Sequence, residues 1–132
     1  MQTGGFKGRS REVDPEGLRL ELARVLCVPA TAIIGEYGMT ELSSQFYEEE
    51  PGQYVEPPWA RVVPVHPETL GPLREGEAGI ARIDDLLNVD SAFAVLTADR
   101  VRRVRGGFDL LGRAPGASPR GCSIAIDEIL GR

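Results

Sequence analysis

Val101-Arg102-Arg103-Val104-Arg105-Gly106-Gly107-Phe108-Asp109-Leu110-Leu111 reads as two β runs joined by a hairpin. Gly106-Gly107 supplies two residues without Cβ, which a tight reversal between strands favours. Val101 and Val104 alternate with arginines, as expected of a strand with one solvated face. A hairpin here makes the local sheet antiparallel. Working outward, Ala60 to Val65, Gly79 to Ile83 and Ala92 to Thr97 are further short β segments, and Pro67-Glu68-Thr69-Leu70-Gly71-Pro72 is a turn between them.

The first third of the chain has a different pattern. Asp14-Pro15-Glu16 is a helix start: Asp14 can accept from free amides, Pro15 suits the first helical position, and Glu16 complements the dipole. Leu18, Leu22, Val25 and Leu26 follow at helical spacing and form an apolar face suited to packing on a sheet. Pro29 is expected to end the helix, with Cys27 a buried structural thiol near its last turn. Ala32-Ile33-Ile34 reads as a short buried strand, with Gly38 allowing a sharp turn beyond it. Leu42 to Phe46 suggests a helical turn, and the acidic, proline-bearing stretch from Glu48 to Pro58 a surface loop. A helix and strand followed by a mostly antiparallel sheet is an α+β arrangement, here a single domain over residues 1–132.

The 132 residues suffice to bury a core. A formal net charge of -5 argues against general nucleic-acid binding, although Arg100, Arg102, Arg103 and Arg105 make a local basic patch. No stretch approaches a membrane span, and residues 1–11 lack the apolar core of a signal peptide, so a cytoplasmic protein is expected. Cys27 and Cys122 are too few for a disulfide framework and lack metal-ligand spacing. His66, the single histidine, has nothing nearby that looks like an activated nucleophile.

Chemistry concentrates in Glu36-Tyr37-Gly38-Met39-Thr40-Glu41, which puts an aromatic ring, a hydroxyl and two carboxylates at one turn after an apolar run. Loops at strand ends are common places for a site. Thr3-Gly4-Gly5-Phe6-Lys7-Gly8 is glycine-rich and reads equally as a loop that admits a nucleotide close to the backbone or as a frayed terminus.

Four stretches together carry a family resemblance: Thr3-Gly4-Gly5-Phe6-Lys7-Gly8-Arg9-Ser10-Arg11-Glu12, Glu36 to Gln45, Leu96-Thr97-Ala98-Asp99, and Phe108-Asp109-Leu110-Leu111-Gly112-Arg113. In that order they resemble the LuxE-type acyl-protein synthetases, within the broader class of adenylate-forming enzymes. The resemblance covers nearly the whole chain but only the C-terminal portion of such an enzyme. It implies ATP-dependent activation of a fatty acid as an acyl-adenylate and transfer of the acyl group to a thiol, with ATP and Mg2+ as cofactors.

The same resemblance implies a role for each matched residue. Tyr37 would stack on adenine, Thr40 would bond a phosphate or acyl-phosphate oxygen, and Glu41 would help hold magnesium. Asp99 would accept from the ribose diol, Arg113 would add charge-assisted bonds to ribose or phosphate, and Gly4 and Gly5 would line the nucleotide with backbone. Cys122, in Pro119-Arg120-Gly121-Cys122-Ser123, is either the acyl acceptor or an inert packed thiol; the apolar residues after it do not decide between helix and strand. The large N-terminal part with the phosphate loop and most of the acyl pocket is not matched. A complementary N-terminal chain or an acyl-transfer partner is therefore implied, little activity is expected of the chain alone, and a bared apolar face would favour a homo-oligomer. The other reading is a non-enzymatic nucleotide- or partner-binding module.

Overall fold

The computed structural model describes residues 2–3 and 14–117. Residues 2–3 and 34–115 belong to one compact unit and residues 14–33 to a second. In the second, helix α1 (Pro15–Leu26) starts as expected: Asp14 Oδ1 accepts from the Gly17 amide at 2.8 Å, with Pro15 in the first turn. It ends before Pro29, at Cys27, whose left-handed backbone (φ 53°) lets the Val28 amide reach the Ala23 carbonyl. That position leaves Cys27 exposed, which corrects its reading as a buried thiol. Leu18 and Leu22 are half-buried, whereas Val25 and Leu26 are exposed.

The first unit is an eight-stranded sheet. Its strands are β1 (Gln2–Thr3), β2 (Gly35–Tyr37), β3 (Phe46–Glu50), β4 (Gln53–Val55), β5 (Ala60–Val65), β6 (Ala78–Asp85), β7 (Ala94–Val104) and β8 (Gly107–Arg113). The spatial order is β1-β2-β3-β4-β8-β7-β6-β5, antiparallel throughout except for the parallel pair β1 and β2. The α+β expectation therefore holds.

Several boundaries move, each for a local reason. Ala30–Ala32 is a single 3-10 turn, so the strand expected at Ala32–Ile34 forms three residues later, at Gly35–Tyr37. Chain reversal after it is made by residues 40–41, with the Leu42 amide bonded to Met39 O, rather than by Gly38. The stretches read as a helical turn and an acidic loop contain β3 and β4, which form a hairpin. Phe46 there is fully buried while Tyr47 is exposed, the alternation of a strand, and Glu48 Oε1 accepts from the Gly52 amide across the reversal. The β7–β8 turn is Arg105-Gly106, one residue earlier than expected, with Gly106 at φ 89°. Gly107 opens β8 opposite Val55, where a Cβ would lie 2.0 Å from the Tyr54 carbonyl oxygen. Only glycine permits β4 to lie there.

The sheet curls on itself. Tyr37 on β2 bonds Asp99 on β7, although β3, β4 and β8 lie between those strands in the sheet. Inside the curl pack Tyr37, Leu42, Phe46, Val62, Ile83, Val101 and Phe108. Near β5, Arg103 on β7 makes a bidentate bond to Glu56 and reaches past β6 to the Val62 carbonyl, while Glu56 accepts from the Val62 amide. This pair ties the edge strand to its neighbours and absorbs one arginine of the sequence's basic patch; Asp109 pairs with a second, Arg102, at 2.6 Å.

Candidate nucleotide site

The two strands expected at 92–97 and 101–104 are one long strand, β7, broken by an irregularity. Against β6 the register steps from Arg82–Leu96 to Ile80–Arg100, which puts the extra residues on β7; against β8 it steps from Asp99–Arg113 to Val101–Leu110, which puts the extra residue on β8, at Leu111-Gly112. Extra residues on one strand bend it and re-aim its side chains. On β7 the bulge falls on Thr97-Ala98-Asp99: the Thr97 hydroxyl accepts from the Asp99 amide at 3.0 Å, and the Ala98 carbonyl accepts from the Ala114 amide at 2.8 Å.

Asp99 is thereby turned toward β2. Its Oδ2 accepts from the Tyr37 hydroxyl at 2.9 Å, and its Oδ1 accepts from Arg113 Nη1 at 3.1 Å. The carboxylate is 14% exposed and Arg113 38%, so the pair lies at the rim of the curl. Three residues singled out from distant stretches of sequence thus meet at one carboxylate.

Tyr37 is 8% exposed. Its ring packs against Phe46, Tyr54 and Phe108 at centroid separations of 6.0, 6.1 and 5.8 Å. Burial, then the charge of Asp99 and the bond to it, push the phenol well above the ordinary tyrosine range. Its hydroxyl therefore remains protonated, and remains a donor, at every physiological pH.

Thr40 and Glu41 lie on the exposed turn after β2. A polar network the sequence did not reveal fixes the chain just beyond them. Asp85, fully buried at the end of β6, accepts from the Ser43 and Ser44 amides at 3.1 and 2.8 Å, from the Ser44 hydroxyl at 2.8 Å and from the Leu87 amide at 3.0 Å. Burial raises the pKa of this carboxylate, but the bonds from Leu87, Ser44 and Ser43 outweigh it and hold the group below the usual carboxylate range. Asn88 completes the anchor: its Oδ1 accepts from Ser43, and its amide donates to the carbonyls of Glu41 and Ala92. The available signal was a pair of acids closing an apolar strand, Asp84-Asp85, of which one faces inward by the period of two.

His66 has a local role, its Nδ1 accepting from the Glu68 and Thr69 amides within the turn. Gly4, Gly5 and Cys122 lie outside the described residues.

Neither family models nor curated proteins give a match to this chain. Solved structures do. Apo MatB from Rhodopseudomonas palustris is similar over 86% of this chain and 25% of its own, with a TM-score of 0.57 and 18% identity. The ATP-bound form of MatB is similar over 74% and 23%, with a TM-score of 0.56 and 19% identity. McyG A-PCP complexed with phenylalanyl-adenylate is similar over 80% and 24%, at 0.56 and 22%. The chain shares its fold with a part of these structures. The chain spans about a quarter of the length of these structures. At such identities the likeness is one of fold, and the narrower resemblance to LuxE-type synthetases rests on the residue motifs alone. No helix among the described residues is long and apolar enough to cross a membrane.

Proposed function

We propose that this chain supplies one wall of the nucleotide site of an ATP-dependent acyl-adenylating enzyme. The observation that carries the reading is the convergence of Tyr37, Asp99 and Arg113, from three separate strands, beside the turn that bears Thr40 and Glu41. Support comes from a fold shared with structures that hold ATP in one case and an aminoacyl-adenylate in another. Asp99 would accept from the ribose hydroxyls, Arg113 would meet ribose or phosphate, and Thr40 would bond a phosphate oxygen. Tyr37 would face the adenine side of the nucleotide.

The donor set fits magnesium only when a nucleotide brings it. Among the described residues no group of three or more His, Cys, Asp or Glu could hold a metal. Mg2+ is commonly held by one or two carboxylates together with substrate phosphates, and the exposed Glu41 suits that pattern. Bound there, Mg2+ would offset phosphate charge.

In the activation step a fatty carboxylate attacks the α-phosphorus of ATP and pyrophosphate leaves. In the transfer step a thiolate, for which Cys122 is the candidate in this chain, attacks the acyl carbonyl and AMP leaves. Both steps need the reacting groups held from two sides, so a complementary segment or chain is proposed as partner. The test is ATP–pyrophosphate exchange. The chain alone should give little, and addition of a complementary N-terminal segment should raise it; exchange by the chain alone at the rate of a complete ligase overturns the two-wall reading. Intact-mass measurement after incubation with an acyl-adenylate addresses Cys122, whose role is excluded if no adduct forms or if the adduct survives Cys122→Ser.

The second reading is a nucleotide- or partner-binding module without turnover. Exchange that stays absent with every complementary segment, alongside saturable ATP binding, would select it.

A further inference from the structure

We infer that Tyr37 acts on the nucleotide through its hydroxyl, as a positioning residue that holds Asp99 in the orientation a vicinal diol requires. The inference rests on the nucleotide reading above and adds a specific means of sugar discrimination to it.

The ring has little surface left to offer a ligand. It is 8% exposed, and it is surrounded by Phe46 and Phe108, both fully buried, and by Tyr54, which itself stacks on Phe108 with an interplanar angle of 20°. That packing fixes the position of the hydroxyl as firmly as any atom in the core, because close-packed aromatic rings cannot tilt without displacing one another. The hydroxyl meets Asp99 Oδ2, while Arg113 meets Oδ1 from the rim.

Asp99 stands on a strand bulge, where the register of β7 with β6 breaks, so its side-chain torsions are not set by the ladder alone. The Tyr37 bond supplies the missing constraint from the opposite side of the curl. Each carboxylate oxygen can accept about two hydrogen bonds. With one position on each oxygen taken by Tyr37 and Arg113, one remains on each, on a carboxylate whose plane is fixed. Two adjacent hydroxyls donate in that arrangement; a sugar lacking them does not.

The experiment compares ATP with 2′,3′-dideoxy-ATP by isothermal titration or NMR titration, using wild type, Tyr37→Phe, Asp99→Asn and the double variant, each first checked by thermal unfolding. Tyr37→Phe keeps the ring and removes only the hydroxyl, with its bond to Asp99 and its contact with Thr97. The expected result is that wild type prefers ATP and that Tyr37→Phe weakens ATP about tenfold, the worth of one charge-assisted bond, while leaving dideoxy-ATP unchanged. The double variant should be no weaker for ATP than Asp99→Asn alone. Equal weakening of both nucleotides in Tyr37→Phe, or no weakening of either, overturns the inference while leaving the nucleotide site standing. Absence of ATP binding by folded wild type instead removes the nucleotide reading and the inference with it.

Discussion

Replacing Asp85 with asparagine tests whether the turn that bears Thr40 and Glu41 is held by a single buried carboxylate. Asp85 receives four donors, two on each oxygen. Asparagine keeps the shape but turns one acceptor into a donor, so two of those donors lose their partner. The Ser43 amide retains Asn88 Oδ1 at 2.9 Å, and the Ser44 hydroxyl can rotate, which leaves the amides of Ser44 or Leu87 as the orphans. An unsatisfied buried donor costs about 1–3 kcal/mol, and bonds to a charged acceptor lie at the upper end. Leu86 and Leu87 beside the site are exposed, so water can meet part of the demand. The expected loss is about 2–3 kcal/mol. Urea denaturation followed by tryptophan fluorescence reads it as a lower midpoint at unchanged slope, and Trp59, whose indole N–H donates to the Ser44 hydroxyl, sits inside the network as reporter. Asp84→Asn is the control, because Asp84 is part-exposed and pairs only with Arg82; it should cost under about 1 kcal/mol. Equal losses for the two variants would refute the reasoning. The pH dependence has a definite sign. The folded pKa of Asp85 is depressed, so its contribution is full above the unfolded carboxylate pKa of about 3.9 and disappears as pH falls through that value toward the lower folded one. The stability gap between wild type and Asp85→Asn should therefore be constant near neutrality and close only in acid.

Further outcomes follow from the same core. Phe108→Ala should cost about 3–5 kcal/mol in the same denaturation assay, since the ring is fully buried and contacts three other aromatics. Gly107→Ala should be more damaging than Gly71→Ala by thermal unfolding, because at Gly107 the new Cβ meets backbone while at Gly71 it makes only an ordinary contact with the Thr69 hydroxyl. Arg103→Met should destabilise by roughly 2–4 kcal/mol, as it strands the part-buried Glu56, whereas Arg102→Met should cost little. In alkaline titration at the tyrosinate band, Tyr37 should stay unionised above the usual tyrosine pKa of about 10, so stability falls as pH rises past that value; Tyr37→Phe should leave the native titration below it unchanged.

The sheet after Trp59 was legible because its strands alternate apolar and polar residues and are separated by proline and glycine: β5 matches its expected span, Ala60–Val65. The helix start was legible from the cap and proline alone. β3 and β4 were not, because three successive acids outweigh the inward Phe46 and Tyr54 in any local pattern: Glu49 and Glu50 are exposed, and the half-buried Glu48 is satisfied by the amides of Gly35 and Gly52, which local sequence does not show. Asp99 was legible as a residue but not as a position, since the bulge that aims it depends on the register of β7 with β6. Tyr37 was read by its ring because the family resemblance implies stacking on adenine; its hydroxyl bond to a strand four places away in the sheet has no trace in local sequence. The Asp85 anchor was missed for the same reason, its partners Ser43 and Ser44 lying more than forty positions earlier in the chain.

The nucleotide site itself is tested most directly by titrating isotopically labelled wild type and Asp99→Ala with Mg-ATP and following backbone amide shifts. The account predicts saturable changes at Tyr37, Thr40, Glu41, Asp99 and Arg113 in the wild type, lost in a folded Asp99→Ala variant. Unchanged spectra for the wild type, or shifts of the same size in Asp99→Ala, would contradict it.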